Sequence, residues 1–477
     1  MLITADNRED QEIIKRVYDA GQEQVFRYWP ELNAISRQKL LAQLLDIDFQ
    51  QLTELYQRFI KNPQPPDVRG RLEPADFIPL PQSSSEYQTF ERAKLVGETT
   101  LRKGRVAAFV VAGGQATRLG FNGPKGAFPI SPIKEKSFFQ LFAEQIVALS
   151  KKYHSVIPWY IMTSKTNHCA TVDFFEAKNF FGLNREDVMF FQQGMMPALD
   201  ENGKLILDAQ DHIFTNPNGH GGSLSALKIS GALQDLRTRG IDLLFYFQVD
   251  NVLIKICDPV FIGFHVQNRA QMSSKILSKR DAQEKVGVLV NVDGRLSVIE
   301  YSDMSDAEKR ATNTDGTLKY RAGNIAIHLF DLDFIEEETL GKFRLPWHVA
   351  HKKIPYLNEK GHPVEPERPN GYKFEKFVFD ALMDAERTVI LEVRREKEFS
   401  AVKNARGTDS PQTARRDLVN LYGTWLEKAG VAVPRDVHGN VIGRIEISPL
   451  FALTADDLAQ NLPPRLTFDR ELYLGQT

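Results

Sequence analysis

The sequence predicts an α/β protein: a mixed, mostly parallel sheet covered by helices, preceded by a helical N-terminal segment and followed by a small C-terminal domain. Three observations carry this. From about residue 104 to 395, apolar runs of strand length alternate with amphipathic helical patterns. Before them, apolar side chains recur at helical spacing. After about 395 the pattern breaks into short pieces punctuated by Pro and Gly. The 477 residues amount to about three domain lengths, which accommodates segments 1–95, 96–395 and 396–477.

In the first segment Ile13, Ile14, Val17 and Tyr18, then Leu40, Leu41, Leu44 and Leu45, mark helical faces. Prolines 63, 65, 66, 74, 79 and 81 block helix and interior strand and predict a surface connector. Val106 to Ala112 reads as a buried strand. Ser137 with Gln140 three residues later has capping-box spacing, and Phe138, Phe142, Ile146 and Leu149 form one helical face. Strands at 157–163, 188–192 and 243–249 alternate with helical patterns at 172–181 and 223–236. That alternation implies parallel strands joined by right-handed crossovers. Asn202-Gly203 and Asp293-Gly294 each separate two strand-like runs and predict hairpins with type I′ turns.

Lys plus Arg is 60 and Asp plus Glu is 62, so no excess charge draws the chain to nucleic acid or an anionic membrane. An anionic ligand must be held by a local site. Cys169 and Cys257 are too few for a disulfide framework or a zinc cluster and fit a reducing compartment. The first residues lack the basic-then-apolar pattern of a signal peptide. The longest apolar stretches are strand-sized, so a cytoplasmic location without membrane partners is expected.

Val110 to Gly126, VVAGGQATRLGFNGPKG, runs from a buried strand into Gly113 and Gly114 and on to Arg118 and Lys125. Glycines at a strand's carboxyl end let backbone N–H groups approach a ligand, and two cations on one loop suit a di- or triphosphate. The spacing matches neither a P-loop nor a Gly-x-Gly-x-x-Gly dinucleotide turn. In Phe245 to Leu253 an apolar strand ends in Asp250-Asn251; Asp250 is either a Mg²⁺ ligand or the cap of the next turn. In Thr215 to Leu227, Gly219, His220, Gly221 and Gly222 precede a helix, which suits a flat or anionic ligand and equally an ordinary helix entry.

Taken in order, AGGQATRLG…PKG, FFQQGMMP, the glycine loop, QVDN, VIEYSD, AGNIAIH, PNGYKFEKFVFD and VKNARG resemble the UDP-sugar pyrophosphorylases, nearest the eukaryotic-type UDP-N-acetylhexosamine enzymes. The resemblance implies a Rossmann-like nucleotidyltransferase core and a Mg²⁺-dependent reaction of UTP with a sugar 1-phosphate. It implies nucleotide contacts from Ala112, Gly113, Gly114, Gln193 and Gly219, with Gln193 and Gly219 reading uracil. It gives charge neutralisation to Arg118 and Lys125, the metal to Asp250 and the shared phosphate to Lys403. Sugar contacts fall to His220, Gly287, Glu300 and Asn324, and an apolar wall to Phe377 and Phe379, expected on one strand face. His220 departs from the Asn usual in the N-acetylhexosamine enzymes; Gly-His-Gly is more like the UDP-glucose and broad-range enzymes. Glucose or galactose 1-phosphate is therefore the rival substrate. A UDP-sugar-dependent glycosyltransferase would need a metal-holding Asp-x-Asp, for which Asp331-Leu332-Asp333 is the candidate. A non-catalytic UDP-sugar sensor has no need of all four charged groups Arg118, Lys125, Asp250 and Lys403.

Overall fold

A computed structural model describes residues 2–5, 7–63, 70–340 and 344–475. The chain falls into two compact units: Met1–Gly70, Gly194–Gly222 and Leu345–Val378 form one, and Arg71–Gln193, Ser223–Arg344 and Phe379–Thr477 the other.

The larger unit is built on a ten-stranded mixed sheet. Leu243–Gln248, Val106–Val111, Trp159–Thr163 and Val188–Gln192 lie side by side and parallel, as the alternation predicts. Ala322–Asp331 runs antiparallel beside Leu243–Gln248 and is flanked by Met272–Ser278, which pairs in parallel with Thr388–Glu392. Only Leu72–Pro74, Arg295–Ile299 and Ala322–Asp331 oppose the common direction. Of these four, Leu243–Gln248, Val106–Val111 and Trp159–Thr163 are almost wholly buried, which is why they read as continuous apolar runs; Val188–Gln192, at the sheet's edge, is only partly buried. The Ser137 side chain accepts from Gln140 N–H and starts the Phe138–Tyr153 helix, whose Phe138, Phe142, Ile146 and Leu149 enter the core. Helices Ser84–Arg102 and Pro259–Gln267 approach so closely that a Cβ on Gly97 would lie 1.9 Å from the Pro259 carbonyl oxygen.

Two predicted boundaries fall inside continuous structure. The Ser84–Arg102 helix runs through residue 95. Past residue 395, the Pro411–Lys428 helix and the Arg444–Ile447 and Glu471–Leu474 strands share the sheet's core. Glu446 there accepts the N–H groups of Ile133 and Lys134, both at 2.8 Å.

In the smaller unit, helices Arg8–Asp19, Ala34–Leu45 and Phe49–Leu55 share a core with Met196, Leu199, Leu207, Ile213, Leu357 and Phe374. Gln22 imitates a strand partner: its Nε2 donates to the Gly203 carbonyl and its Oε1 accepts from Leu205 N–H, both at 2.8 Å. The helical start of the chain is thus packed on segments nearly two hundred residues away.

Local corrections have local causes. Asp293 and Gly294 both have positive φ and make the expected type I′ hairpin between Val288–Val292 and Arg295–Ile299. At Asn202-Gly203 only Gly203 has positive φ, so the turn is of another type; Asp200 organises it by accepting from Asn202 and Lys204 N–H. The helix expected over 223–236 is two helices, Gly222–Ile229 and Ala232–Thr238, parted at Gly231 (φ +81°). Pro65 and Pro66 of the connector lie outside the described residues. Leu72–Pro74 pairs with Val288–Val292, an edge location that tolerates proline.

Candidate active site

Within the larger unit the carboxyl ends of Val106–Val111 and Leu243–Gln248 lie side by side, Val111 beside Gln248. Buried Ala112 continues the first strand, its N–H bonding the Met162 carbonyl at 2.8 Å. The Gly113–Gly114 turn is held from below by Asn167, wholly buried, whose Nδ2 donates to the carbonyls of Ala112 (2.8 Å) and Gly114 (3.2 Å). With those carbonyls tied down, the turn's shape is fixed before any ligand arrives. A Cβ on Gly113 would lie 3.3 Å from Gln193 Oε1, so glycine makes room for that carboxamide. Gln193 itself is buried, its N–H bonded to the Thr163 carbonyl at 2.7 Å.

The loop returns as a narrow ribbon: Lys125 N–H bonds the Gly114 carbonyl at 3.0 Å, and Gln115 bridges Pro124. Arg118 projects from the Thr117–Leu119 turn, exposed and with no ion pair among the described residues. Gly126 is buried where a Cβ would strike the Phe139 ring at 2.2 Å, which anchors the loop next to Lys125.

Lys125 Nζ lies 3.5 Å from Asp250 Oδ2, both side chains about 15% exposed. Asp250's carbonyl accepts from Val402 N–H at 2.9 Å. Asn251, 4% exposed, accepts from Ser400 N–H (2.9 Å) and donates to the Glu398 carbonyl (2.7 Å). The segment carrying Lys403 is therefore stitched to the strand tip carrying Asp250, across about 150 residues of sequence. Lys403 follows the last stitch and is exposed. Lys125, Asp250 and Lys403 are brought together; Arg118 stays on the same loop as Lys125.

Gly287, Glu300 and Asn324 also converge. Asn324 N–H bonds the Gly287 carbonyl at 2.8 Å, and a Cβ on Gly287 would sit 3.2 Å from Glu300 Oε1. Asn324 stands at a bulge in Ala322–Asp331: its Oδ1 accepts from Ala326 N–H, and Ala326 has φ +54°. One side of the carboxamide is thereby committed to the bulge, leaving the Nδ2 side for other partners.

In the smaller unit the glycine loop packs on the chain just beyond Gly371–Glu375. Gly219 (φ +82°) would put a Cβ 2.3 Å from the Lys376 carbonyl oxygen, and Gly221 one 2.6 Å from Lys376 C. The close approach expected for a ligand is here made by the protein's own backbone. His220 Nδ1 accepts from Val378 N–H at 3.1 Å, so its proton sits on Nε2. Burial, with His348 adding to it, lowers His220 to about 4, and the ring is neutral at pH 7. It stacks on Phe377 (centroids 5.3 Å, 26°), which also meets His348 at 4.4 Å.

Phe377 and Phe379 do not share a strand face. The strand ends at Glu375, and Val378–Met383 is a 3₁₀ turn. Phe379 belongs to the larger unit and is 5% exposed. Asp331 ends a strand and caps the Leu332–Glu338 helix, accepting from Asp333 N–H, while Asp333 pairs with Arg237; the Asp-x-Asp is spent on structure.

Sequence reading passed over Asn167, one of several polar residues that follow the Trp159–Thr163 strand. It also passed over Lys376, 5% exposed, lowered to about 8 by burial, its Nζ 4.7 Å above the Trp347 ring. Its place inside a quoted motif was the only signal.

A glycine turn is thus fixed at parallel strand tips beside Lys125 and Asp250, with Arg118 on the same loop and Lys403 next to the Val402–Asp250 hydrogen bond. Residues 49–410 match the family described as UTP–glucose-1-phosphate uridylyltransferase, and the chain belongs to that family. The chain is 37% identical to UDP-N-acetylhexosamine pyrophosphorylase-like protein 1 of Homo sapiens, over 98% of this chain and 97% of that one. It is 37% identical to UDP-N-acetylglucosamine pyrophosphorylase of Saccharomyces cerevisiae, over 93% and 95% respectively. The solved UDP-N-acetylglucosamine pyrophosphorylase of Trypanosoma brucei, in complex with an inhibitor, superposes with a TM-score of 0.81 at 27% identity, covering 99% of both chains. Among the described residues no helix is long and apolar enough to cross a membrane.

Proposed function

We propose that the chain joins UTP to an N-acetylhexosamine 1-phosphate, giving the UDP-sugar and pyrophosphate. The observation that carries this is the hydrogen bond from Val402 N–H to the Asp250 carbonyl, which gathers Lys403, Asp250 and Lys125 at one pair of strand tips. The names of the relatives support the N-acetyl sugar.

A sugar-phosphate oxygen attacks the α-phosphorus of UTP in line. The new P–O bond forms as the bond to the β-phosphate oxygen breaks, and its electron pair leaves with pyrophosphate. No protein nucleophile is required, so catalysis is positioning plus neutralisation of charge. Arg118 and Lys125 offset charge on the triphosphate and the leaving group. Lys403 holds the phosphate that passes into the product. The backbone at Ala112, Gly113 and Gly114 lies against the nucleotide, and the Gln193 carboxamide offers a donor and an acceptor to uracil. Gly287, Glu300 and Asn324 take sugar hydroxyls. The family resemblance assigns Gly219 to the base, and His220 and Phe377 to the sugar. Phe379 is left to packing.

A carboxylate at a strand tip is a hard oxygen donor that fits Mg²⁺, and Asp250 would hold the ion. When bound, the ion supplies positive charge against the phosphates.

The test is pyrophosphate release from UTP with N-acetylglucosamine, N-acetylgalactosamine, glucose and galactose 1-phosphates. Highest kcat/KM with an N-acetyl sugar is expected. Highest kcat/KM with glucose or galactose 1-phosphate would favour the rival substrate, which His220 recommends. UDP-sugar breakdown that ignores added pyrophosphate would sink the reaction class.

A further inference from the structure

A second hollow in the larger unit has no part in this reaction. It measures about 740 Å³ and is walled by the 252–255 and 395–399 segments, the Pro411–Lys428 helix and the 449–456 loop. None of Gly113, Lys125, Asp250 or Lys403 lines it. That volume suits a small organic ligand.

Its lining is of two kinds. Phe399, Tyr422 and Trp425 supply aromatic surface, and Arg280, Lys397 and Lys428 supply positive charge. None of these three cations has an ion pair among the described residues. Three of the lining's four carboxylates are occupied, Glu398 by Lys275, Asp417 by Arg416 and Glu396 by Arg394; Asp456 is exposed and has no ion pair among the described residues. Lys397 lies within range of Lys428's positive charge. Lys397, exposed yet partly desolvated by its surroundings, is lowered below the usual lysine range by that desolvation, then by Lys428 and Arg394. Repulsion among unpaired cations beside aromatic walls is relieved by a ligand carrying negative charge on a flat apolar body.

We propose that this hollow is a second ligand site, for a small aromatic anion whose rings lie against Phe399, Tyr422 and Trp425 and whose carboxylate, sulfonate or phosphate meets Lys397, Lys428 and Arg280. The site does not depend on which sugar the enzyme uses.

The probe is 8-anilinonaphthalene-1-sulfonate, titrated by fluorescence into the intact chain, with uncharged N-phenyl-1-naphthylamine as its control. Saturable one-to-one binding is expected, at least tenfold tighter than the control and not displaced by saturating UTP. The doubly reversed variant Lys397→Glu/Lys428→Glu should bind at least tenfold more weakly; both positions are exposed, so its thermal midpoint should match the parent. Trp425→Ala should weaken binding independently. Equal affinity for the neutral control, equal affinity in the doubly reversed variant, or displacement by UTP would each overturn the proposal.

Discussion

Replacing His220 separates its structural work from any contact with substrate. The ring does two things inside its own unit. Its Nδ1 satisfies the N–H of Val378, which is wholly buried, and its face stacks on Phe377. Alanine removes both. An unsatisfied buried N–H costs about 1–3 kcal/mol and a lost ring pair about 0.5–1.5 kcal/mol, so His220→Ala should lose about 2–4 kcal/mol locally. Asparagine can return the first part, because its Oδ1 branches where Nδ1 did and accepts the same hydrogen bond; it should lose only about 1 kcal/mol. Amide hydrogen exchange read by mass spectrometry over residues 371–383 measures the difference where it arises. At 1.36 kcal/mol per decade, alanine should speed exchange there by about thirtyfold to a thousandfold. Asparagine should do so by less than about tenfold. Equal exchange in the two variants would refute the Nδ1 acceptor role, and with it the assignment of the proton to Nε2.

Lys125→Ala should lower kcat by about a hundredfold to a thousandfold with the fold intact, since a charge aimed at the developing phosphate charge is removed; near-normal turnover in a pyrophosphate-release assay would take Lys125 out of the site. Asp250→Asn should raise the Mg²⁺ concentration for half-maximal rate by about tenfold or more, reflecting a lost charged ligand; an unchanged titration curve would exclude Asp250 as a ligand. Acid should destabilise the protein through histidines that burial keeps neutral. His265 is lowered to about 3 and His220 to about 4, both below the ordinary 6.5. The unfolded chain therefore takes up protons first as pH falls. The stability these rings contribute is whole above about pH 6.5 and is lost toward pH 4, each at up to about 1.4 kcal/mol per pH unit. Thermal midpoints of His265→Gln against pH from 7 to 4 should fall less steeply than the parent's; parallel slopes would contradict this.

Much of the sheet was readable because its determinants are local. A strand buried on both faces must be continuously apolar, and Val106–Val111, Trp159–Thr163 and Leu243–Gln248 announce themselves that way. What was hidden depends on pairing across long stretches of sequence. Nothing near Gln22 signals that it stands in for a strand beside Leu205, so a helical appendage and a helical subunit core look alike. Nor does SKTN disclose that Asn167 ties down two carbonyls of a turn more than fifty residues away. Phe377 and Phe379 were misread for a related reason: an alternating pattern implies one face only while the strand lasts, and it stops at Glu375.

The glycines make the sharpest distinction between what a motif says and what it does. Gly113 and Gly219 each follow from the same expectation, that a missing Cβ lets a ligand approach. At Gly113 the room goes to the Gln193 carboxamide, a group able to read a base, so the glycine serves the candidate site through a neighbour. At Gly219 and Gly221 the room goes to the backbone of Lys376 and Phe377, and positive φ at Gly219 adds a second reason for glycine. An alanine at Gly219 would therefore unseat the loop whether or not ligand is present. Loss of activity in such a variant carries no information about base recognition, whereas Gln193→Glu, which keeps the side chain's size and removes its amide donor, tests that recognition directly.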